Sequence, residues 1–303
     1  MPSPEHEAII ESMKSQQTGE SPSTIAAMRA GMAGMVGYFE GLEFPPDVKQ
    51  EPVLAAGVPG FWFTPPSPRP RTAILYLHGG GYVMGSVATH RSLIARIARA
   101  SSVRCLALDY RLAPEHPFPA GIEDACAAYR WLLAEGIPAA GIVIAGDSAG
   151  GGLVLGTLVA LRDAGERLPA AAVCISPLAD LELTGNSATR GDIDDPMVSR
   201  AGTLVMAEAY LQGRDPRDPR ASAIHADFTG FPPLRIEVGT REILLDDAKR
   251  VAERARAVGV EVELELGEGL THVWQLHPHL PESAASVTRI GRFILKHVSK
   301  HLG

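Results

Sequence analysis

The sequence predicts an α/β fold: a mostly parallel, twisted sheet with helices on both faces and a helical cap. Three observations predict it. From residue 72 onward, short apolar runs alternate with helix-patterned runs, the rhythm of a sheet buried on both faces. The stretch 183–231 breaks that rhythm with Pro196, Pro216 and Pro219 and holds one helix-like segment, 199–211. It reads as an insertion after a strand. Gly146-Asp147-Ser148-Ala149-Gly150 follows the apolar run 141–145 and precedes a small-residue, helix-compatible run, so the context is strand, sharp turn, helix.

The elements follow in order. Residues 4–17 and 22–41 read as helices; in the second, Ile25, Met28, Met32, Met35 and Phe39 recur at spacings of three and four. Such a stripe serves core packing, and methionine also suits adaptable binding surfaces, so Met32 and Met35 are candidates to face a substrate pocket. Strands 49–55 and 58–64, joined around Gly57, are expected to be antiparallel, and 65–70 is a Pro-rich surface loop. Strands are then expected near 72–77, 103–108, 141–145, 170–175, 234–238 and 260–266. Helices are expected near 88–100, 121–135, 149–164, 244–258 and 282–300. The organisation that results is a helical cap over 1–45, a catalytic core over 46–182 and 232–303, and a cap insertion over 183–231. Glu261 to Leu266 alternates Glu with Val or Leu, the pattern of a last strand at a sheet edge. Edges pair across two-fold axes, so a homodimer through it is an expectation to test.

Composition narrows the function classes. The chain has 303 residues, 46% of them hydrophobic and 21% charged, as in an ordinary globule with a large core. The net charge is −7 and there is no Lys/Arg block, so no nucleic-acid partner is expected. No run of 18 apolar residues appears, so no membrane span is expected. Residues 2–17 are polar and acidic, unlike a secretory signal. Cys105, Cys126 and Cys174 fall in core-like elements; an odd number there suggests free thiols and a cytoplasmic location.

Two motifs carry chemistry. In G-x-S-x-G the turn around the serine is so tight that its neighbours must be nearly free of side chains, and the hydroxyl of Ser148 is thrust out at the carboxyl end of the sheet. Upstream, His78-Gly79-Gly80-Gly81 follows the strand 72–77. Glycines there let backbone N–H groups approach a developing oxyanion, with Gly80 and Gly81 as donors and Ala149, after the serine, as a third. Each motif alone is a Gly-rich turn; both together, each after a strand, point to acyl transfer.

These residues resemble the hormone-sensitive-lipase-like family of α/β-hydrolases, in its microbial esterase form. The resemblance rests on Leu77-His78-Gly79-Gly80-Gly81-Tyr82, on the run from Asp109-Tyr110-Arg111-Leu112-Ala113-Pro114-Glu115 to Ala120, on Gly146 to Gly151, and on 238–273. It covers about residues 70–300 and implies an α/β-hydrolase fold with no cofactor and no metal. It also implies a serine carboxylesterase acting on small, short-chain esters. A lactone hydrolase would use the same residues on a cyclic ester. A non-catalytic small-molecule receptor is the rival from another class; plant gibberellin receptors resemble this family but lack its histidine.

A serine hydroxyl needs a base, and the base needs an orienting carboxylate; in this fold the order is Ser, acid, His. Six histidines follow Ser148: 225, 272, 277, 279, 297 and 301. His297 and His301, on or beyond the last helix, suit a solvated face, and His225 lies in the insertion. His277 and His279 read as a polar loop without a ligand cluster for a metal. His272 lies just past the carboxyl end of the strand 260–266, where the family also places its histidine. Glu242, Asp246 and Asp247 are candidates for the acid. The family pattern reads Asp-Pro-Leu-x-Asp with the first acid catalytic; this chain has Glu242-Ile243-Leu244-Leu245-Asp246, so the matching position is Glu242. Asp246 and Asp247 then read as helix-start charges. Asp147 is expected to brace the turn or the cap, His78 to orient the glycine loop, and Arg111 to pair with Glu115.

Overall fold

Two antiparallel strands lead into a parallel sheet. The computed structural model describes residues 2–16, 24–191 and 193–299. Helices α1 (Pro4–Gln16) and α2 (Ile25–Gly41) precede strands β1 (Lys49–Ala55) and β2 (Val58–Thr64). Then come β3 (Ala73–Leu77), α3 (Val87–Ser101), β4 (Cys105–Leu108), α4 (Ala120–Ala134), β5 (Ile142–Asp147), α5 (Ala149–Asp163) and β6 (Ala171–Ile175). Two helices interrupt the alternation, α6 (Asn186–Thr189) and α7 (Arg200–Leu211). Strand β7 (Leu234–Gly239), α8 (Leu245–Ala257), β8 (Val262–Gly267) and α9 (Pro281–Ser299) complete the chain.

The sheet has eight strands in the order β1-β2-β4-β3-β5-β6-β7-β8. β1–β2 and β2–β4 are antiparallel and all later pairs parallel. The unbroken apolar run of β3 suits a strand buried on both faces. Ile74 and Tyr76 point to one layer with α3 and α9, where Leu93, Ile97, Ile290 and Phe293 pack. Leu75 and Leu77 point to the other, with Tyr129 of α4, Leu158 of α5 and Val251 of α8.

The expected strands and helices are present, with ends that agree to within three residues. Gln17, Pro22, Ser23 and Lys300, at the ends of expected helices, and His301 lie outside the described residues. The short α6 was not expected. Strand β8 is at the sheet edge as predicted. Its Glu263 is ion-paired to Arg235 at 2.8 Å, and Glu261, just before the strand, to Lys296 at 2.7 Å. All three cysteines are buried and free. Among the described residues no helix is long and apolar enough to cross a membrane.

Candidate active site

Ser148 sits between β5 and α5 with φ 54° and ψ −122°, a backbone conformation that costs an L-residue of order 1–3 kcal/mol. The surroundings hold it there. Its N–H donates to Ile175 O at 2.8 Å, and its carbonyl accepts from Gly152 N at 3.1 Å and Leu178 N at 3.0 Å. A side chain at Gly150 would overlap the carbonyl oxygens of Leu77 and His78, and one at Gly146 that of Gly150. The glycines are therefore what let the turn close against β3. Ser148 remains partly exposed while its neighbours from 141 to 150 are buried.

The glycine loop lies against this turn. Gly80 and Gly81 have φ +121° and +62°, which L side chains rarely adopt. A Cβ on Gly79 would come within 3.1 Å of Ser148 Cβ, so the loop and the serine are adjacent. A Cβ on Gly81 would overlap the sulfur of Met206, on α7. Ala149 is the first residue of α5, where backbone N–H groups have no partner within the helix. His78 bonds through Nδ1 to Gly79 O at 2.7 Å and stacks on Tyr110 at 4.4 Å, the loop-bracing arrangement expected of it. Burial, above all, holds its pKa down at about 3, so it is neutral.

Three residues far apart in sequence converge on the serine hydroxyl. His272 Nε2 is 2.9 Å from Ser148 Oγ, and His272 Nδ1 is 2.7 Å from Glu242 Oε2. The other Glu242 oxygen accepts from Ser176 Oγ at 2.8 Å and from Gly239 N at 2.5 Å. Ser176 Oγ in turn accepts from Val273 N at 3.2 Å, tying the two loops together. His272 is 5% exposed and Glu242 fully buried. Burial by itself presses the His272 imidazolium down. The Glu242 charge and hydrogen bond, with Asp195 and Asp147 beyond, outweigh it, and the net pKa lies above the ordinary value of 6.5. An imidazole held by a carboxylate on one nitrogen and facing a hydroxyl with the other can take that hydroxyl's proton.

A second buried pair lies behind the turn. Asp147 accepts from Tyr76 OH at 2.7 Å and pairs with His90 Nε2 at 3.1 Å. His90 Nδ1 is taken up by Thr89 Oγ1 at 2.8 Å and Ser86 O at 3.2 Å. Asp147 thus braces the turn from within the core, with these partners on β3 and α3.

Several expectations need correction. Arg111 pairs with Asp124 and Glu123, not Glu115. Glu115 instead receives Arg29 of α2, which also donates to Val83 O and Ala113 O. Asp247 is no solvated helix-start charge: it is fully buried and accepts the N–H groups of Ala179 and Asp180 at 2.9 Å. Burial first, then the nearby Asp180 charge, pushes its pKa well up. Asp246 is half-buried and accepts from Ser187 N at 3.0 Å. His297 is buried against Phe293, and His277 is buried with Tyr38 OH 3.3 Å from its Nδ1, whereas His225 and His279 are exposed.

Of the α2 stripe, Met28 and Phe39 are buried, Met32 is half-buried and Met35 is 47% exposed. Met206, which reaches Gly81, was not singled out from sequence, because α7 offers no motif to align it with the glycine loop. Asp195, also missed, accepts from Ile243 N at 3.1 Å, beside Glu242. Only its Asp-Pro context, shared with other turns, marked it. Among the described residues, Asp180, Glu182 and His225 could converge on a metal ion, with ligand atoms within 4.8 Å of one another. Asp180 is already paired with Arg250 and Glu182 with Arg217, both at 2.8 Å, which spends the acidic charge.

Comparison with known proteins agrees with this fold. The α/β-hydrolase fold family matches residues 74–276. An acetyl-hydrolase of Streptomyces hygroscopicus is 44% identical over 299 residues, 97% of each chain. An esterase of Acinetobacter venetianus is 34% identical over 82% of each. A solved esterase of the bacterial hormone-sensitive lipase family superposes with TM-score 0.92 at 45% identity, covering 98% of this chain and 99% of that one. An esterase/lipase from an uncultured bacterium gives TM-score 0.91 at 43% identity, with the same coverage. With a shared fold and identities of this size over almost the whole length, the chain belongs to the α/β-hydrolase fold family, in its hormone-sensitive-lipase-like branch.

Proposed function

We propose that this hydrolase of carboxylic esters works through an acyl-enzyme on Ser148, with His272 as base and Glu242 as the orienting acid. The observation that carries the reading is the continuous chain Ser148–His272–Glu242, at 2.9 and 2.7 Å, on a strained turn. Ser148 Oγ attacks the ester carbonyl as its proton passes to His272 Nε2. The tetrahedral oxyanion is met by the N–H groups of Gly80, Gly81 and Ala149. His272 returns the proton to the leaving alcohol oxygen, and a water, deprotonated by the same nitrogen, releases the acid. Glu242 keeps Nδ1 protonated throughout and balances the imidazolium.

Helices α1 and α2, within 1–45, and the insertion 183–231 form the cap over the core of 46–182 and 232–303. Short acyl groups are the substrate class. Met206 over Gly81 supports this by filling space beside the oxyanion loop, and one relative carries the name acetyl-hydrolase. The same machinery opens a lactone, and a panel of esters and lactones of graded chain length separates the two. The buried free thiols support a cytoplasmic location. The edge position of β8 supports a homodimer through it, which a purely monomeric sedimentation profile would exclude.

The decisive experiment replaces Ser148 by Ala. Loss of a triad member costs on the order of 10⁴ to 10⁶ in kcat with the fold unchanged. Hydrolysis of a chromogenic acetate within tenfold of wild type would refute the nucleophile.

A further inference from the structure

Four backbone donors in the loop that presents His272 have defined partners. Leu270 N donates to Gly267 O at 3.0 Å, Gly269 N to Thr240 Oγ1 at 2.8 Å, and Val273 N to Ser176 Oγ at 3.2 Å. Thr271 N, directly before His272, finds its partner 265 residues away: His6 Nε2 on α1, at 3.3 Å. Thr271 Oγ1 is 3.2 Å from the same nitrogen, and both residues are fully buried.

A backbone N–H can only donate, so Nε2 must be the acceptor and the ring proton sits on Nδ1. That Nδ1 is buried with no hydrogen-bond partner among the described residues. An unmatched buried donor costs free energy, so the imidazole is not there for its own stability. Burial lowers its pKa, outweighing the raising charges of Glu282 and Glu7, with Arg241 acting in the same sense as burial, which favours the neutral, accepting form. Glu7 of α1 and the two residues before the helix grip the same region. Glu7 is 3.5 Å from Arg241, the residue before Glu242. Ser3 Oγ donates to Glu282 at 3.0 Å, and a Cβ on Gly269 would meet the Pro2 ring.

We infer that helix α1 clamps the loops carrying His272 and Glu242, with His6 as a positioning residue that fixes the height of His272 over Ser148 through the Thr271 N–H. It never touches substrate; it acts by withholding freedom from the base. The inference rests on the triad reading above and adds to it a requirement for the N-terminal helix. Misplacing a reacting group by about 1 Å can cost on the order of 100-fold in rate, so a slack loop is felt in kcat.

The test uses the full chain with His6→Ala, His6→Gln and His6→Asn. Rates on a chromogenic acetate are divided by the amount of serine titrated with a fluorophosphonate. Glutamine carries its amide oxygen about as far from Cα as Nε2; asparagine falls short. Expected for His6→Ala is a fall in kcat per titrated serine of about tenfold or more, with KM within twofold. His6→Gln should recover most of that loss and His6→Asn little. A merely structural role would lower the titratable fraction and leave kcat per site unchanged. That result, or equal kcat per site in the Gln and Asn variants, overturns the clamp; if His6→Ala does not fold, the Gln/Asn pair decides alone. An active Ser148→Ala enzyme would instead overturn the triad itself, an outcome no His6 variant produces.

Discussion

Two buried histidine–carboxylate pairs flank Ser148, and only one of them can act on it. Glu242–His272 and Asp147–His90 have separations of 2.7 and 3.1 Å, and all four residues are nearly or fully buried. Both histidines are raised above their ordinary pKa: burial opposes this in each, and the paired carboxylate outweighs it. The difference is the second ring nitrogen. In His90 it is spent on Thr89 and Ser86, so the ring is locked as a brace. In His272 it faces the serine hydroxyl. A charge pair tunes an imidazole; the free nitrogen decides whether the tuning is used for chemistry.

Removing the charge from each carboxylate breaks the comparison most sharply. Glu242→Gln should cost up to about 10⁴ in kcat per folded molecule, as when a triad carboxylate becomes an amide. Glu242→Asp keeps the charge one methylene short and should retain partial activity. Asp147→Asn should do the reverse: a stability loss of about 3 kcal/mol from a broken buried pair, read by denaturant melts. Its kcat per folded molecule should stay within about tenfold of wild type. Equal kinetic losses in the two variants would erase the distinction.

The pH profile sharpens it further. In the proposed mechanism His272 must be neutral to accept the serine proton, so activity should fall below its pKa and rise as pH passes through it. Its pKa is raised, so the midpoint of the acid limb in kcat/KM should lie above pH 6.5. With Glu242→Gln the raising charge is gone and burial remains, so the limb of the residual activity should move to lower pH. A limb unmoved by that substitution would mean another group titrates.

The smallest effects separate the two aspartates at the start of α8. Asp247→Ala leaves the N–H groups of Ala179 and Asp180 without their acceptor, a cost of about 1–3 kcal/mol or more in thermal or denaturant unfolding. Asp246→Asn, at a half-buried site, should cost about 0.3–1 kcal/mol. Equal costs would return Asp247 to a plain helix-start charge.

The sequence by itself determined the alternation of elements, the parallel sheet and the turn at Ser148. Those depend on local patterns: apolar runs of strand length, and glycines where a Cβ would strike the carbonyls of β3. It also singled out Glu242 and His272, because each lies just past a strand's carboxyl end and the family pattern marks the place. Tertiary structure alone decided partners across distant segments: Arg29 with Glu115, Asp247 under the loop after β6, Met206 over Gly81, His6 under Thr271. No local signal encodes these. A charged or polar side chain reads the same whether solvent or a buried N–H receives it, and only the packing of the layers determines which one is there.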